Sequence, residues 1–584
     1  MATTVTETEI DAPGCDPGPF LQLPRSIKET LKMPTPVAKA WVKSFVKEVT
    51  GTLVHRQSCK IEDPGPDDIV IPVRDVYRAK LDQEGLLDKL KTRVVFRGDL
   101  YNPQDPQDPW NPHASFLSLK LFLADCAKRG SMPRQIDYKL AYLATDMHER
   151  VFVQFPEHWK QFLPEHLHKW IGRPLLLLKA LYGYTYSGKF LYQDQAELLE
   201  KEGFHQIMPG YWLKHLPNGK VIAFLHYVDD ILVDSDDDPA LTDFIEKLSK
   251  AFDTEVKPRA DWYLQTRIQQ DKDLNISLDQ TRYCKSMVQR FLPLIANLEI
   301  TRVDSRKYRS PLPALVKLSK ENVSKTKEEV YELETEFGFR YIELIGCFNW
   351  LSNTCFEELY AIRKLCRFLN LPGRKHFLAA LHLLHHFRCH PPKPLIFFHD
   401  VNHAPVTKML RSVEDFVKIW DTPNLVVFAD SSHADSDESR STACYYVVYR
   451  GGLIDHMSWV PTPVPLSTAE SENNCYAIAV MRALYIARIV AELESGSPDA
   501  APQTVPICVD NSAALIMNES DNTSRRVRHV ESRYWFGKTA RQRGLVKFVK
   551  VDGKTQQPAD LGTKNVQDFE ARPYLDLFEA PYYT

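Results

Sequence analysis

A chain of 584 residues is too long for one ordinary domain, and at roughly 150 residues per unit it holds about four. With 44% hydrophobic and 26% charged residues it is globular, and a net charge of −3 excludes a uniformly basic nucleic-acid coat. The 11 cysteines stand singly, without a CxxC or a Cys/His set at zinc spacing, which points to a reduced setting and away from a zinc knuckle.

Residues 1 to about 35 are polar and proline-punctuated (DAPGCDPGPF), so a disordered extension is expected, with a short helix over Ala38–Val49. VYRAKLDQEGLLDKLKTRVVFRG reads as two strands joined near Glu84-Gly85, along which Arg78, Lys80, Lys91, Arg93 and Arg97 recur. A proline-rich loop follows, then an apolar helix in SFLSLKLFLADCAKRG. RQIDYKLAYL alternates as a strand and carries Asp137.

VIAFLHYVDDILV, residues 221–233, is two β-rich runs with Asp229 and Asp230 at or near the tip of a hairpin. Adjacent carboxylates repel by about 4 kcal/mol at an effective dielectric of about 20, and a divalent metal removes that cost. LTDFIEKLSKAF should be a helix capped from Asp236–Asp238. DWYLQTRI reads as a strand with Gln265 inside it, and a further segment runs from about Leu278 to Leu294. Tyr341–Leu369 and Lys375–Arg388 have helical spacing; His382, His385 and His386 lie on the second, with no evident carboxylate or thiolate partner. From Leu425 the chain restarts as an α/β unit: a strand in LVVFADSSHAD, two more in TACYYVVYRGGLIDHMSWV, and a long helix from LSTAESE. A strand-to-helix run in VPICVDNSAALI follows, and a last helix near Pro558.

YVDD, with a lone strand Asp before it, resembles the palm of a reverse transcriptase. DYKLAYLATDMHERVFVQFPEHW and KALYGYTYSGKFLY are similar to the corresponding segments of copia-type LTR-retrotransposon polyproteins, as are LSTAESE, DNSAAL, RHVESRYWF and QPADLGTK in the later unit. The resemblance covers roughly residues 71 to 570. It implies an α+β / α/β multidomain fold: a right-hand polymerase (fingers, palm, thumb), then a helical connection and a ribonuclease H-like α/β domain. The expected bounds are 1–70 for the largely disordered extension, 71–260 for fingers and palm, and 261–420 for thumb and connection. The ribonuclease H-like domain then spans 421–572, with a tail at 573–584.

Carried over position by position, the resemblance makes Asp137, Asp229 and Asp230 the polymerase metal ligands, and Asp430, Glu470, Asp510 and Asp560 those of the nuclease. Each site would take two Mg²⁺, with Mn²⁺ as a substitute. His529 matches a family histidine that either hydrogen-bonds locally or assists product departure, with Arg525, Arg526 and Arg528 beside it. Lys80, Lys91, Arg93, Tyr182, Gly183 and Tyr227 would meet nucleotide or primer. Tyr142 would gate the sugar if the chain turns after Asp137; otherwise it is a core aromatic. The implied partners are an RNA template, a DNA primer, RNA–DNA hybrids and dNTPs, in a cytoplasmic particle or the nucleus. No apolar run approaches membrane length, so no membrane partner is expected.

Three departures bear on template affinity: Tyr186-Ser187-Gly188 after LYG, Gln265, and VPTPVP before Leu466. A decayed or domesticated copy that binds hybrids without catalysis is the alternative, and the retained carboxylates disfavour it.

Overall fold

The computed structural model describes residues 15–579 apart from 82–85, 103–107, 140, 296–308, 314–317, 421–423, 434–439, 463, 521–531, 567–573 and 575. The turn at Glu84-Gly85, together with Arg525, Arg526, Arg528 and His529, lies outside them.

The basic hairpin forms from Val70–Leu81 and Leu87–Phe96, paired antiparallel with Arg78 opposite Lys91. Alternation from Thr92 on buries Thr92, Val94 and Phe96 and leaves Lys91 and Arg93 on the other face. The core beneath this sheet corrects the expectation for the N-terminus. From Cys15 onward the extension is ordered, because Phe20, Ile27, Trp41 and Phe45 bury themselves against Tyr77, Val94 and Trp159. The Ile27 amide and the Tyr77 hydroxyl both donate to the buried Asp75, at 2.5 and 2.6 Å. The helix read over Ala38–Val49 runs Thr35–Thr50.

The palm is a six-stranded sheet in the order Thr254–Lys257, Arg134–Tyr138, Asp230–Ser235, Val221–Tyr227, Tyr211–His215, His205–Met208. Helix Phe116–Arg129 packs on it, started by the Ser115 side chain on the Ser118 amide and ended by Gly130 at φ 68°. Helix Asp238–Ala251 starts within the acidic run, with Asp237 accepting from the Ala240 amide at 3.1 Å.

DWYLQTRI is not one strand. Trp262–Tyr263 and Thr266–Gln270 fold back on each other through Leu264 (φ 48°) and Gln265 (φ 61°). Gln265 therefore stands at a left-handed position that favours glycine. Helices Thr281–Phe291, Tyr341–Leu351, Leu359–Cys366 and Arg374–Cys389 follow and share a core. The histidines there have local uses: His386 Nε2 lies 3.3 Å from Glu358, a carboxylate the sequence reading did not find, and His382 Nε2 lies 2.9 Å from the Ser310 carbonyl.

The final unit is a five-stranded sheet in the order Gly452–Trp459, Ala443–Tyr449, Leu425–Ser431, Val505–Val509, Val546–Lys550. The first three strands are antiparallel and the last two join in parallel. The last strand and helix Phe536–Gln542 were not separately expected, and the feature near Pro558 is one 3₁₀ turn, Pro558–Gly562.

This sheet does not stand apart. Leu121 and Leu123 of the palm helix, Leu278, Phe397, Val427, Tyr445, Tyr476 and Val480 belong to one continuous core. Burial on that scale, at about 25 cal/mol per Å² of apolar surface, makes separation of the two units costly. Among the described residues no helix is long and apolar enough to cross a membrane.

Candidate active sites

The hairpin tip is built by register. Asp230 opens its strand directly opposite Asp137 on one side and Tyr227 on the other. Asp137 in turn has Glu255 as its partner on the next strand. The turn itself is Val228 and Asp229, with Val228 at φ 58°, where a β-branched residue is strained. Such strain persists only where the surroundings over-determine it, and here buried strands clamp the turn from both ends.

Partial burial and mutual repulsion dominate the electrostatics. Burial first, then Asp229 and Asp137, pushes the Asp230 carboxyl up to about 6, with Lys80 and Lys257 opposing. Asp137 is raised by burial and by Asp229, with Lys80 and Lys91 opposing. The fingers hairpin thus brings Lys80 and Lys91 within electrostatic reach of the palm acids, and burial beside Arg93 and Lys80 holds the Lys91 ammonium below its ordinary range.

Arg93 lies 4.8 Å over the Tyr182 ring, and Tyr182 meets Tyr142 edge-on at 4.9 Å. Burial raises the Tyr182 hydroxyl to about 12 and raises Tyr142 as well, both with a contribution from Asp229. Tyr142 reaches this position because the strand stops at Tyr138 and a 3₁₀ turn, Ala141–Ala144, reverses the odd spacing. Gly183 (φ 87°) docks this loop on the fingers: a Cβ there would lie 2.4 Å from the Phe96 carbonyl, whose amide donates to the Tyr182 carbonyl at 2.7 Å. Tyr227 is exposed beside the aspartates, its ring 5.3 Å from His113. Of the departures, Tyr186 is buried against Tyr184 and Phe190, a core aromatic. Arg97 pairs with Asp99 at 2.6 Å.

The second cluster is tighter. Leu425–Ser431 and Val505–Val509 are parallel neighbours, so their carboxyl ends deliver Asp430 and Asp510 side by side. The Pro558–Gly562 turn brings Asp560, held by Gln557, whose side-chain amide donates to the Ala429 carbonyl at 3.0 Å. Ligand oxygens of Asp430, Asp510 and Asp560 all lie within 4.8 Å of one another, a spacing the palm trio does not meet. Thr563 donates to Asp430 at 2.6 Å, and Lys564 pairs with Asp560 at 2.7 Å. Burial followed by Asp560 and Asp510 pushes Asp430 far above the carboxylate range; Asp510 is raised by burial and Asp560.

The fourth acid corrects the sequence reading. Glu470 sits in the first turn of helix Thr468–Ser495, where Ser467 accepts from its amide and its carboxylate accepts from the Leu466 amide at 2.8 Å. Glu472, two residues on, is buried, and after burial its carboxyl is raised chiefly by Asp430 and Asp510. Two residues turn a helix through about 200°, so the two acids, both buried, meet different surroundings. LSTAESE holds both, and nothing in that stretch marks which of the two faces Asp430.

The family described as reverse transcriptase (RNA-dependent DNA polymerase) matches residues 61–301, which include the fingers hairpin and the palm aspartates. This segment is a reverse-transcriptase region. The similarity continues beyond it: the Pol polyprotein of transposon TNT 1-94 from Nicotiana tabacum is 23% identical over 93% of this chain and 38% of its own. That of transposon RE1 from Arabidopsis thaliana is 23% identical over 93% of this chain and 33% of its own. The Ty1-H Gag-Pol polyprotein of Saccharomyces cerevisiae is 23% identical over 83% and 25%. Over 83 to 93% of its length the chain is thus similar to retrotransposon Pol polyproteins, and it spans only 25 to 38% of their own length.

Proposed function

We propose that the palm cluster performs RNA- and DNA-templated DNA synthesis and that the second cluster hydrolyses the RNA strand of RNA–DNA hybrids. The observation that carries the first half is the register pairing of Asp137 with Asp230 beneath Lys80 and Lys91. Neighbouring acids on adjacent strands, facing cations from the fingers, suit a triphosphate whose charge must be balanced on both sides.

The donor sets fit divalent metal. Asp430 and Asp560, both buried, and the half-buried Asp510 crowd within 4.8 Å, and Glu472 Oε2 is buried without a hydrogen bond. Asp137, Asp229 and Asp230 would hold Mg²⁺ in the palm, and Asp430, Glu472, Asp510 and Asp560 in the nuclease site, with Mn²⁺ as a substitute. Bound there, the metal supplies positive charge for the attacking and leaving oxygens.

The chain's own residues do the rest. Lys80, Lys91 and Arg93 attract and orient the dNTP phosphates, and the Tyr142–Tyr182 pair, fixed by Gly183, forms the wall the sugar meets. Tyr227 stands exposed where the primer end would lie. In the nuclease site Thr563 and Lys564 orient Asp430 and Asp560, and the buried walls keep bulk water from screening the acids.

Primer extension by the full chain on a homopolymer RNA template tests the reading. Wild type should extend the DNA primer in Mg²⁺, and Asp229→Asn should abolish extension while leaving hybrid cleavage intact. Wild-type protein that binds hybrids yet extends nothing would replace the polymerase reading with the non-catalytic one.

A further inference from the structure

A third group of side chains of metal-ligating type lies away from both acidic clusters, where the palm sheet meets the long helix of the nuclease-like unit. His205 is on the edge strand of the palm, His215 ends the neighbouring strand, and Glu492 is in the last turn of helix Thr468–Ser495. Ligand atoms of all three lie within 4.8 Å of one another. Both imidazoles aim Nε2 at the same carboxylate oxygen: His205 hydrogen-bonds to Glu492 Oε1, and His215 Nε2 is 3.5 Å from it. The rings stack with centroids 5.3 Å apart and planes 26° from parallel.

We propose that His205, His215 and Glu492 form a zinc-type metal site that ties the palm to the nuclease-like unit. Two imidazoles and one carboxylate are a donor set that Zn²⁺ accepts, with water as the fourth ligand. The hard cations Mg²⁺ and Ca²⁺ prefer oxygen alone and would not choose it.

A plain ion pair serves this geometry poorly. One carboxylate oxygen facing two stacked imidazoles can neutralise one imidazolium, and a second positive ring stacked on the first is repelled. His215 Nε2 is shielded from solvent and makes no hydrogen bond. One cation between the three satisfies every donor. The helix end helps: Glu492 precedes the Gly496 cap by four residues, and the partial negative charge of a helix C-terminus favours a cation there. The cap also comes close, since a Cβ at Gly496 (φ 68°) would sit 3.8 Å from His215 Nδ1.

The test uses the full chain, stripped of metal by chelator and held in saturating Mg²⁺ so that the acidic clusters are filled. Calorimetric titration with Zn²⁺ should show one tight equivalent in wild type that is lost in His205→Ala and in His215→Ala. Zn²⁺ should raise the melting temperature of wild type and leave His215→Ala unmoved. Co²⁺ should give the intense visible bands of a four-coordinate site, and His215→Cys should restore binding with a thiolate-to-cobalt charge-transfer band. Circular dichroism of the metal-free variants separates lost ligands from lost folding, and His215→Cys carries the decision if His215→Ala does not fold. Equal Zn²⁺ uptake by wild type and His215→Ala overturns the site, as does a pale six-coordinate Co²⁺ spectrum or a His215→Cys variant without the thiolate band.

Discussion

Glu472 lies buried beside Asp430, while Glu470, two residues earlier on the same helix, turns back to cap the helix start. Their roles should therefore separate cleanly. Glu472→Gln keeps the shape, removes a charge that the proposed metals would need, and should abolish hybrid cleavage with DNA synthesis unchanged. Glu470→Ala should leave cleavage near wild type and cost about 1 kcal/mol of stability through the lost cap. Cleavage assays and denaturant melts on both variants decide it, and the reverse pattern would return the catalytic role to Glu470.

Tyr142 meets Tyr182 edge-on within electrostatic reach of Asp229, and the proposed function makes it the floor beneath the incoming sugar. A clash with a 2′ hydroxyl there would cost about 1–3 kcal/mol, worth roughly ten- to hundredfold discrimination. Tyr142→Val should raise ribonucleotide incorporation by about that factor and lower deoxynucleotide incorporation much less. Equal losses on both substrates in single-nucleotide extension would show that the ring only packs.

Gly183 should tolerate no side chain. At φ 87°, with the Phe96 carbonyl 2.4 Å from any Cβ, Gly183→Ala must move the loop or the fingers strand. The expected cost is about 1–3 kcal/mol, with a raised KM for every dNTP because Tyr182 shifts with the loop. A variant with unchanged melting temperature and unchanged KM would mean that the contact relaxes freely.

His226 gives the protein an acid-sensitive strand. Burial, reinforced by His113, holds its imidazole down at about 3 from an ordinary 6.5. The folded form resists a proton that the unfolded chain accepts, so the unfolded state binds more protons between those values. Stability is fully present above pH 6.5 and falls as pH drops towards 3, at up to about 1.4 kcal/mol per pH unit. Urea melts at pH 6.5 and pH 4.5 should show that His226→Phe loses less stability than wild type over this interval. Parallel losses in the two proteins would assign the acid sensitivity elsewhere.

Local pattern was enough for the elements that carry the palm chemistry. The apolar arms around Asp229-Asp230, the alternation through Asp137 and the acidic run before Leu241 each specify their structure within a few residues, and each formed where that pattern required. The strand–helix alternation after Leu425 likewise marked out the second unit. Where two solutions fit the local text, pattern could not choose. DWYLQTRI alternates like a strand, yet Leu264 and Gln265 take left-handed turns because the chain must fold back to pair Trp262 with Arg267.

The sequence by itself determined which residue types the sites have to work with: the paired aspartates, the basic hairpin and the later acids. Only the tertiary structure decided which of Glu470 and Glu472 faces Asp430, because that depends on how the helix rotates to bury Tyr476 and Val480. It also decided that the polar, proline-rich N-terminus is ordered from Cys15, since Phe20 and Ile27 are buried in a core that the helix Thr35–Thr50 and the sheet beyond it build together. The core shared by the palm helix and the last sheet has the same origin. Burial is a property of surfaces that meet, and residues hundreds of positions apart do not announce in their own neighbourhoods that they will meet.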